Sequence, residues 1–506
     1  MSLPQQRSKV SNVSIALAQS RLGISSVVFF VLAAAAPLTV VAGGATTGFA
    51  VTGVTGIPVS YLAVAAILAL FSVGYVAMSR RVLNAGAFYT YIAHGLGKVS
   101  GVGASFVALL AYNTMQVGLY GGFGAVLAAL LQDRLGWHVA WWACAFAGWV
   151  VVAVLGVLRV DINGRVLAVM LLAEIAVAVV FAVVQVAHPA GGHVSFDTLA
   201  PGHLFSAGIG AALVTAVAGF VGFEGTAVFS EETRDPRRTI ARATYIALAV
   251  IGLLYGLCAW AMSVATGPDH IVDAAKKDGP ELIFNLIAPY LGQTMVDLGH
   301  VLFITSLFAA LLSFHNTVAR YLFALGRERV LPAVLGHTSR RTGAPKAGSL
   351  VQSVVAAVVL VGYAFAGLDP MVQLFFWLTV TGGLGVLILM TATSVAVIVF
   401  FARTRHPESA WRRLVAPVLA AGALCCVLAA TIDQYATLLG VTADSPLRWM
   451  FPAGFALAAA LGVGWALILR ATRPEVYAVI GLGANSVTAS AATGTSRQPL
   501  TDPTLA

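Results

Sequence analysis

Residues 207–244 read AGIGAALVTAVAGFVGFEGTAVFSEETRDPRRTIARAT. An apolar run of small residues extends to about Val217, meets Gly219, Gly222 and Gly225 with Glu224 among them, and closes on a charged cluster. In lipid every backbone N–H and C=O must be satisfied internally. A glycine-rich break in a membrane helix is therefore tolerated only where the freed groups line a protein cavity or a ligand site. A lone carboxylate at that depth is costly unless paired, which makes Glu224 a functional-site candidate.

Working outward, the composition sets the class. The chain has 506 residues, 59% apolar and only 10% charged, with a mean hydropathy of +0.90; soluble domains carry about 25% charged residues. It reads as an all-α integral membrane protein whose environment is the lipid bilayer. The net charge of +9 does not indicate a nucleic-acid partner, because the basic residues are spread over alternate loops and not pooled in one patch. Cys144, Cys258, Cys425 and Cys426 lie in apolar segments without metal-ligand spacing, so no metal or cofactor is expected. An uncleaved first span is favoured over a signal peptide, because Pro37 and a glycine-rich segment continue the apolar run.

Segments of about 18 or more mostly apolar residues fall at 26–50, 57–79, 99–131, 139–158, 163–187, 206–231, 240–266, 293–325, 346–366, 372–402, 413–437 and 448–470. Twelve transmembrane helices are expected. Nearly all Lys and Arg then lie on one side, with only Arg134, Lys276, Lys277 and Arg448 on the other, which places both termini in the cytoplasm of a multi-pass protein of the cell membrane. The first span carries Pro37 and then Gly43-Gly44 near its middle. It is the second broken helix, five spans before the one at 219–225, as two inverted repeats of five helices require. The expected organisation is a cytoplasmic tail 1–24, a first repeat 25–188 (spans 1–5), a second repeat 203–402 (spans 6–10), spans 11–12 over 412–470, and a disordered cytoplasmic tail 471–506. The polar loop 267–290 reads as a solvated amphipathic segment, part of an outer lid.

The chain resembles the amino acid–polyamine–organocation superfamily of permeases. Gly222, Phe223, Glu224, Glu231, Glu232, Pro236, Arg238, Ile240 and Ala243 match its sixth-helix signature. The run 84–97, NAGAFYTYIAHGLG, is similar to its stretch between spans two and three, and Arg320, Gly326, Arg327, Leu331, Pro332 and Pro345 match its run after span eight. The resemblance implies a LeuT-type 5+5 inverted repeat plus two peripheral helices, and import of a small molecule, an amino acid or related amine, by alternating access. It implies a substrate carboxylate on the N–H groups of Gly43, Gly44, Ala45 and Thr46. The ammonium is expected on carbonyls of 40–42, including Val41 and Ala42, and of 219–222, including Gly222, with Phe220 or Phe223 as a cap.

Within span three, Asn113 and Gln116 share a face and either address the cavity or bond neighbouring helices. Glu174 in span five stands where some proton-coupled relatives carry a Lys in place of a sodium ion. As a carboxylate in apolar surroundings it is either a carrier of the coupling proton or a structural group bonded to span eight. Thr305 and Ser306 on span eight stand where sodium-coupled relatives hold their ion, although such hydroxyls usually bond their own backbone. The cluster Glu231, Glu232, Arg237 and Arg238, with Arg234, is expected to pair with basic loops as an inner gate. No HExxH, GxSxG, CxxC or phosphate loop is present, so no enzyme is expected. Besides the amino acid importer, a polyamine or other organic-cation permease and a non-translocating amino acid sensor stay open.

Overall fold

The computed structural model describes residues 13–14, 23–82, 84, 86–158, 160–228, 233, 235–339, 342–404 and 408–483. The fold is helical throughout, apart from one two-residue strand pair between β1 (Val13–Ser14) and β2 (Thr338–Ser339). Eleven helices among the described residues are long and apolar enough to cross a membrane. The protein is an all-α integral membrane protein.

In chain order, the first span is α1 (Ile24–Ala35), a π-helical turn Thr39–Ala45 and α2 (Thr46–Thr52). Span two is α3 (Ile57–Ser79), followed by the short α4 (Ala87–Leu96) and by α5 (Lys98–Leu135), a third span of 38 residues. Next come α6 (Trp141–Gly156) and α7 (Val160–Ala187). The sixth span is α8 (Ile209–Phe220) and α9 (Gly225–Val228). It is followed by α10 (Pro236–Thr266), the outer α11 (Ile271–Asp278), α12 (Leu282–Arg327) and α13 (Lys346–Ala366). The chain then runs through a π-turn Pro370–Phe376 into α14 (Trp377–Arg403), α15 (Ala416–Asp433), the short α16 (Tyr435–Leu439), α17 (Leu447–Thr472) and α18 (Pro474–Val479).

Two elements differ from the sequence expectation. The fourth segment, expected over 139–158, is helical over only the 16 residues Trp141–Gly156, about 24 Å of rise. The preceding helix closes on the left-handed Gly136 (φ 67°), and the chain is non-helical to Ala140, which is extended. The stretch ahead of the eighth span, expected as part of the polar loop 267–290, is itself helical from Leu282, while Gly292 (φ 72°) interrupts α12 three residues after Pro289, so the eighth span proper begins beyond it, at the expected 293. Helix α11 turns Ile271 and Ala275 inward against α2 and leaves Asp273, Lys276 and Lys277 outward, the division expected of a solvated amphipathic lid.

Helix α5 packs against α14, α12 and α17, and α3 packs against α10 and α8. Contact between backbones is close: a Cβ on Gly95 would run into the Ala396 backbone, and one on Gly210 into Ala430. Small residues admit this approach where no hydrophobic force separates helix from lipid.

The segment after α17, read as the start of a disordered tail, folds back as far as Gly483. Val476 and Val479 are buried. The Gly481 and Gly483 N–H groups donate to the Glu328 carboxyl at 2.8 and 2.7 Å, and Asn84 Nδ2 donates to it at 3.1 Å. Glu328 itself is fully buried just past the end of α12; burial raises its pKa, and these bonds oppose the rise. The Gly481 and Gly483 N–H groups had no visible partner in sequence, because Glu328 lies 153 and 155 residues away. Replacing Glu328 by Ala leaves two backbone donors and an amide unpaired, at about 1–3 kcal/mol each at most. The expected outcome is a lower Tm in detergent and protease cleavage near residues 474–483; an unchanged Tm with an uncleaved segment is the contrary result.

Candidate functional site

The first span breaks at Pro37, which has no N–H to give to the Ala33 carbonyl. Ala36, in the left-handed region (φ 45°), ends α1, and the freed groups are taken up by three other helices. Tyr255 of α10 donates to the Ala35 carbonyl. The Thr39 N–H donates to Ser306 Oγ of α12 at 3.2 Å. The Leu38 N–H and the Ser306 hydroxyl both face the Glu174 carboxyl of α7. Glu174 is 1% exposed, and its Oε2 has no hydrogen-bond partner among the described residues.

The sixth span breaks at Val221–Glu224, between α8 and α9. Gly222 has φ 116°, and a Cβ there would lie 2.7 Å from that of Ala34. Only glycine meets both demands. The Glu224 side chain folds back on the break: Oε2 accepts from the Gly222 N–H at 2.9 Å, Oε1 accepts from the Tyr112 hydroxyl at 2.6 Å, and Tyr75 donates to the Glu224 carbonyl at 2.9 Å. Tyr75, Tyr91, Tyr112, Tyr321 and Phe71 form an aromatic layer around this carboxylate.

The two breaks face each other across a common cavity. Span one contributes Ala34, Ala35, Ala36, Thr39, Val40 and Gly44; span six contributes Thr215, Ala218, Gly219 and Val221. Tyr61 of α3, Met115 and Leu119 of α5, Ala310 and Phe314 of α12, and Phe375, Phe376, Thr379 and Val380 complete the lining.

The sequence-derived residues divide accordingly. Gly44, Gly219 and Val221 reach the cavity, Gly222 lies outside its lining, and Gly43 faces the Phe375 ring. The break in span one, however, lies at Ala36 and not at 42–46: Val41, Ala42, Gly43 and Ala45 belong to the π-turn, and Thr46 opens α2. Phe220 packs against Tyr61 and Tyr255, and Phe223 against Phe71, so neither lines the cavity. Glu224 is sealed beneath it. Asn113 donates to its own helix at Leu109, and Gln116 joins His315 and Gln352 on the α12–α13 side of α5; neither lines the cavity. Thr305 bonds its own backbone, while Ser306 serves the break. Of the proposed gate, Glu231 and Glu232, with Arg234, lie outside the described residues, as does the Arg237 side chain. Arg238 pairs locally with Asp235.

A family model for amino acid permeases matches residues 22–458. The chain belongs to the amino acid permease family. Over 145 residues this permease is 32% identical to an uncharacterised transporter of Mycobacterium tuberculosis, covering 28% of its own length and 31% of the relative's. Over 143 residues it is 25% identical to the low-affinity putrescine importer PlaP of Escherichia coli, covering 28% and 30% respectively. The chain thus spans about a third of the length of these curated relatives.

Sequence reading missed Thr39, Tyr61 and Phe375 as cavity residues. Pro37 was the available signal for Thr39, since the break it forces ends just before that residue. The permease's Gly222→Ala variant places a Cβ at a positive φ and against Ala34. The expected result is at least a ten-fold loss of ligand affinity, roughly 1.4 kcal/mol or more, with Gly225→Ala, which has open space around it, as the tolerated control.

Proposed function

We propose that this permease is a secondary active transporter of LeuT-type architecture that imports an amino acid or related amine across the cytoplasmic membrane. The observation that carries this reading is the pairing of two helix breaks, five spans apart, across one cavity. In this reading spans 1–5 and 6–10 are inverted repeats, both termini are cytoplasmic, and alternating access opens the cavity to each side in turn. The charged stretch with Glu231, Glu232, Arg237 and Arg238 forms the inner gate. Similarity to a putrescine importer supports an amine as the second reading.

We assign the coupling ion as H⁺ and its carrier as Glu174. Its carboxyl stands between α7, the break in span one and Ser306 of α12, with one oxygen unpartnered. Glu224, by contrast, has both oxygens engaged by donors. A proton on Glu174 removes an uncompensated buried charge and lets the carboxyl donate to a neighbouring oxygen, which favours one packing of α7 against the break.

Uptake into liposomes holding the purified protein tests this. Import is expected to quicken as the outer pH falls, because the proton then moves down its gradient with the substrate. Glu174→Gln is expected to keep substrate affinity within about three-fold and to lose the response to the pH gradient. Full gradient dependence in Glu174→Gln, or wild-type uptake that requires sodium and ignores pH, overturns the assignment of Glu174.

A further inference from the structure

We infer that the cavity accepts a neutral amino acid with an apolar side chain and rejects diamines and cationic amino acids, with Thr39 and Tyr61 as its side-chain anchors for the polar head. This rests on the transporter reading above. Two observations carry it. First, no Asp, Glu, Lys, Arg or His lines the cavity among the described residues. Glu174 and Glu224 border the breaks, but neither reaches the lining, and Glu224 already accepts from Tyr112 and Gly222. Second, two hydroxyls in the lining have no hydrogen-bond partner, Thr39 Oγ1 and Tyr61 Oη, although Thr39 is 3% exposed and Tyr61 is fully buried.

The remaining lining hydroxyls are occupied. Thr215 donates to Ala211 and Thr379 to Phe375, each within its own helix. A buried hydroxyl left unpaired is costly; Ser313 and Thr393 are also without a partner among the described residues, but Thr39 and Tyr61 are the ones that line the cavity, where a ligand can pair them. They stand on the side of the cavity formed by the break in span one, next to Ala34–Ala36 and Gly44, where the polar head of a ligand meets both hydroxyls.

The rest of the wall includes Met115, Leu119, Phe314, Phe375 and Phe376. An apolar side chain of the ligand buries its surface there. A second ammonium or a guanidinium in the same place meets aromatic faces and no carboxylate, and an uncompensated buried charge outweighs what those faces return. Discrimination of roughly 100-fold or more is expected against putrescine and arginine relative to leucine or phenylalanine.

The experiment is titration of the purified permease in detergent with leucine, phenylalanine, methionine, alanine, arginine and putrescine, read by calorimetry and by thermal shift, beside uptake of the same compounds in liposomes. The neutral apolar amino acids are expected to bind and to be taken up, and leucine amide, which lacks the carboxylate, to bind at least ten-fold more weakly than leucine. Thr39→Val and Tyr61→Phe are each expected to weaken leucine binding about ten-fold with an unchanged Tm. Phe375→Ala should weaken leucine and phenylalanine more than alanine. If Tyr61→Phe lowers the Tm, Thr39→Val decides the anchor role alone. Binding of putrescine or arginine as tight as that of leucine overturns the inference while the transporter reading stands. Binding and uptake of none of the six overturns the transporter reading itself.

Discussion

Backbone polar groups cannot be left unpaired in a low-dielectric interior, and the arrangement around the cavity follows from that rule. Once Pro37 removes one donor and Ala36 turns left-handed, the Ala35 carbonyl and the Leu38 and Thr39 N–H groups need partners from outside the helix. Tyr255, Glu174 and Ser306 supply them from α10, α7 and α12. The break therefore fixes where three other spans must stand. In the sixth span the solution is more local. Glu224 returns to the Gly222 N–H of its own break and is steadied by Tyr112 of α5, while Tyr75 of α3 takes the carbonyl.

The two breaks were unequally legible in the sequence. Gly222 and Glu224 sit together at 221–224, so glycine spacing located that interruption to within two residues. In the first span the Gly43-Gly44 pair drew attention away from Pro37. The residue before a proline is pushed out of the right-handed helical region, and this outweighed the conformational freedom of two glycines. Those glycines serve packing, with Gly43 admitting the Phe375 ring at a distance a Cβ would crowd. The π-turn at Thr39–Ala45 re-enters helical geometry within a few residues of the break, which no local propensity announces.

Side-chain roles were harder to read than the fold for a reason specific to membrane helices. Helix α5 is apolar on most of its circumference, so its sequence does not mark which face meets the cavity. Tyr112, Met115 and Leu119 share the inward stripe, at i, i+3 and i+7, whereas Gln116 lies one step around the helix and Asn113 falls further off it. In a soluble protein the amides would have pointed to the wet side. Here a buried amide is satisfied wherever a neighbouring helix offers a partner, and Gln116 finds His315 and Gln352. Glu174 was legible because a single carboxyl in an otherwise apolar span has few inexpensive positions. Its unpartnered oxygen was not, since that depends on what α12 and the break in span one present to it.

The Gln116 network also bears on which parts of the molecule can move. His315 lies 3.2 Å from Gln116 and 2.7 Å from Ser349, so α5, α12 and α13 are tied through three buried polar side chains. Sliding α5 against this pair of helices would strand each of those groups, at a cost near that of an unmade buried hydrogen bond for every one. The aromatic contact one turn away on α5, with Tyr112 and Tyr321 rings 5.3 Å apart, has no such directional demand beyond the Tyr112–Glu224 bond. Under the alternating access proposed above, motion that opens the cavity would therefore be cheapest where α1 and α8 hinge at Ala36 and Gly222 against a fixed α5–α12–α13 body, because there a few bonds at the breaks exchange partners while the packed network stays whole.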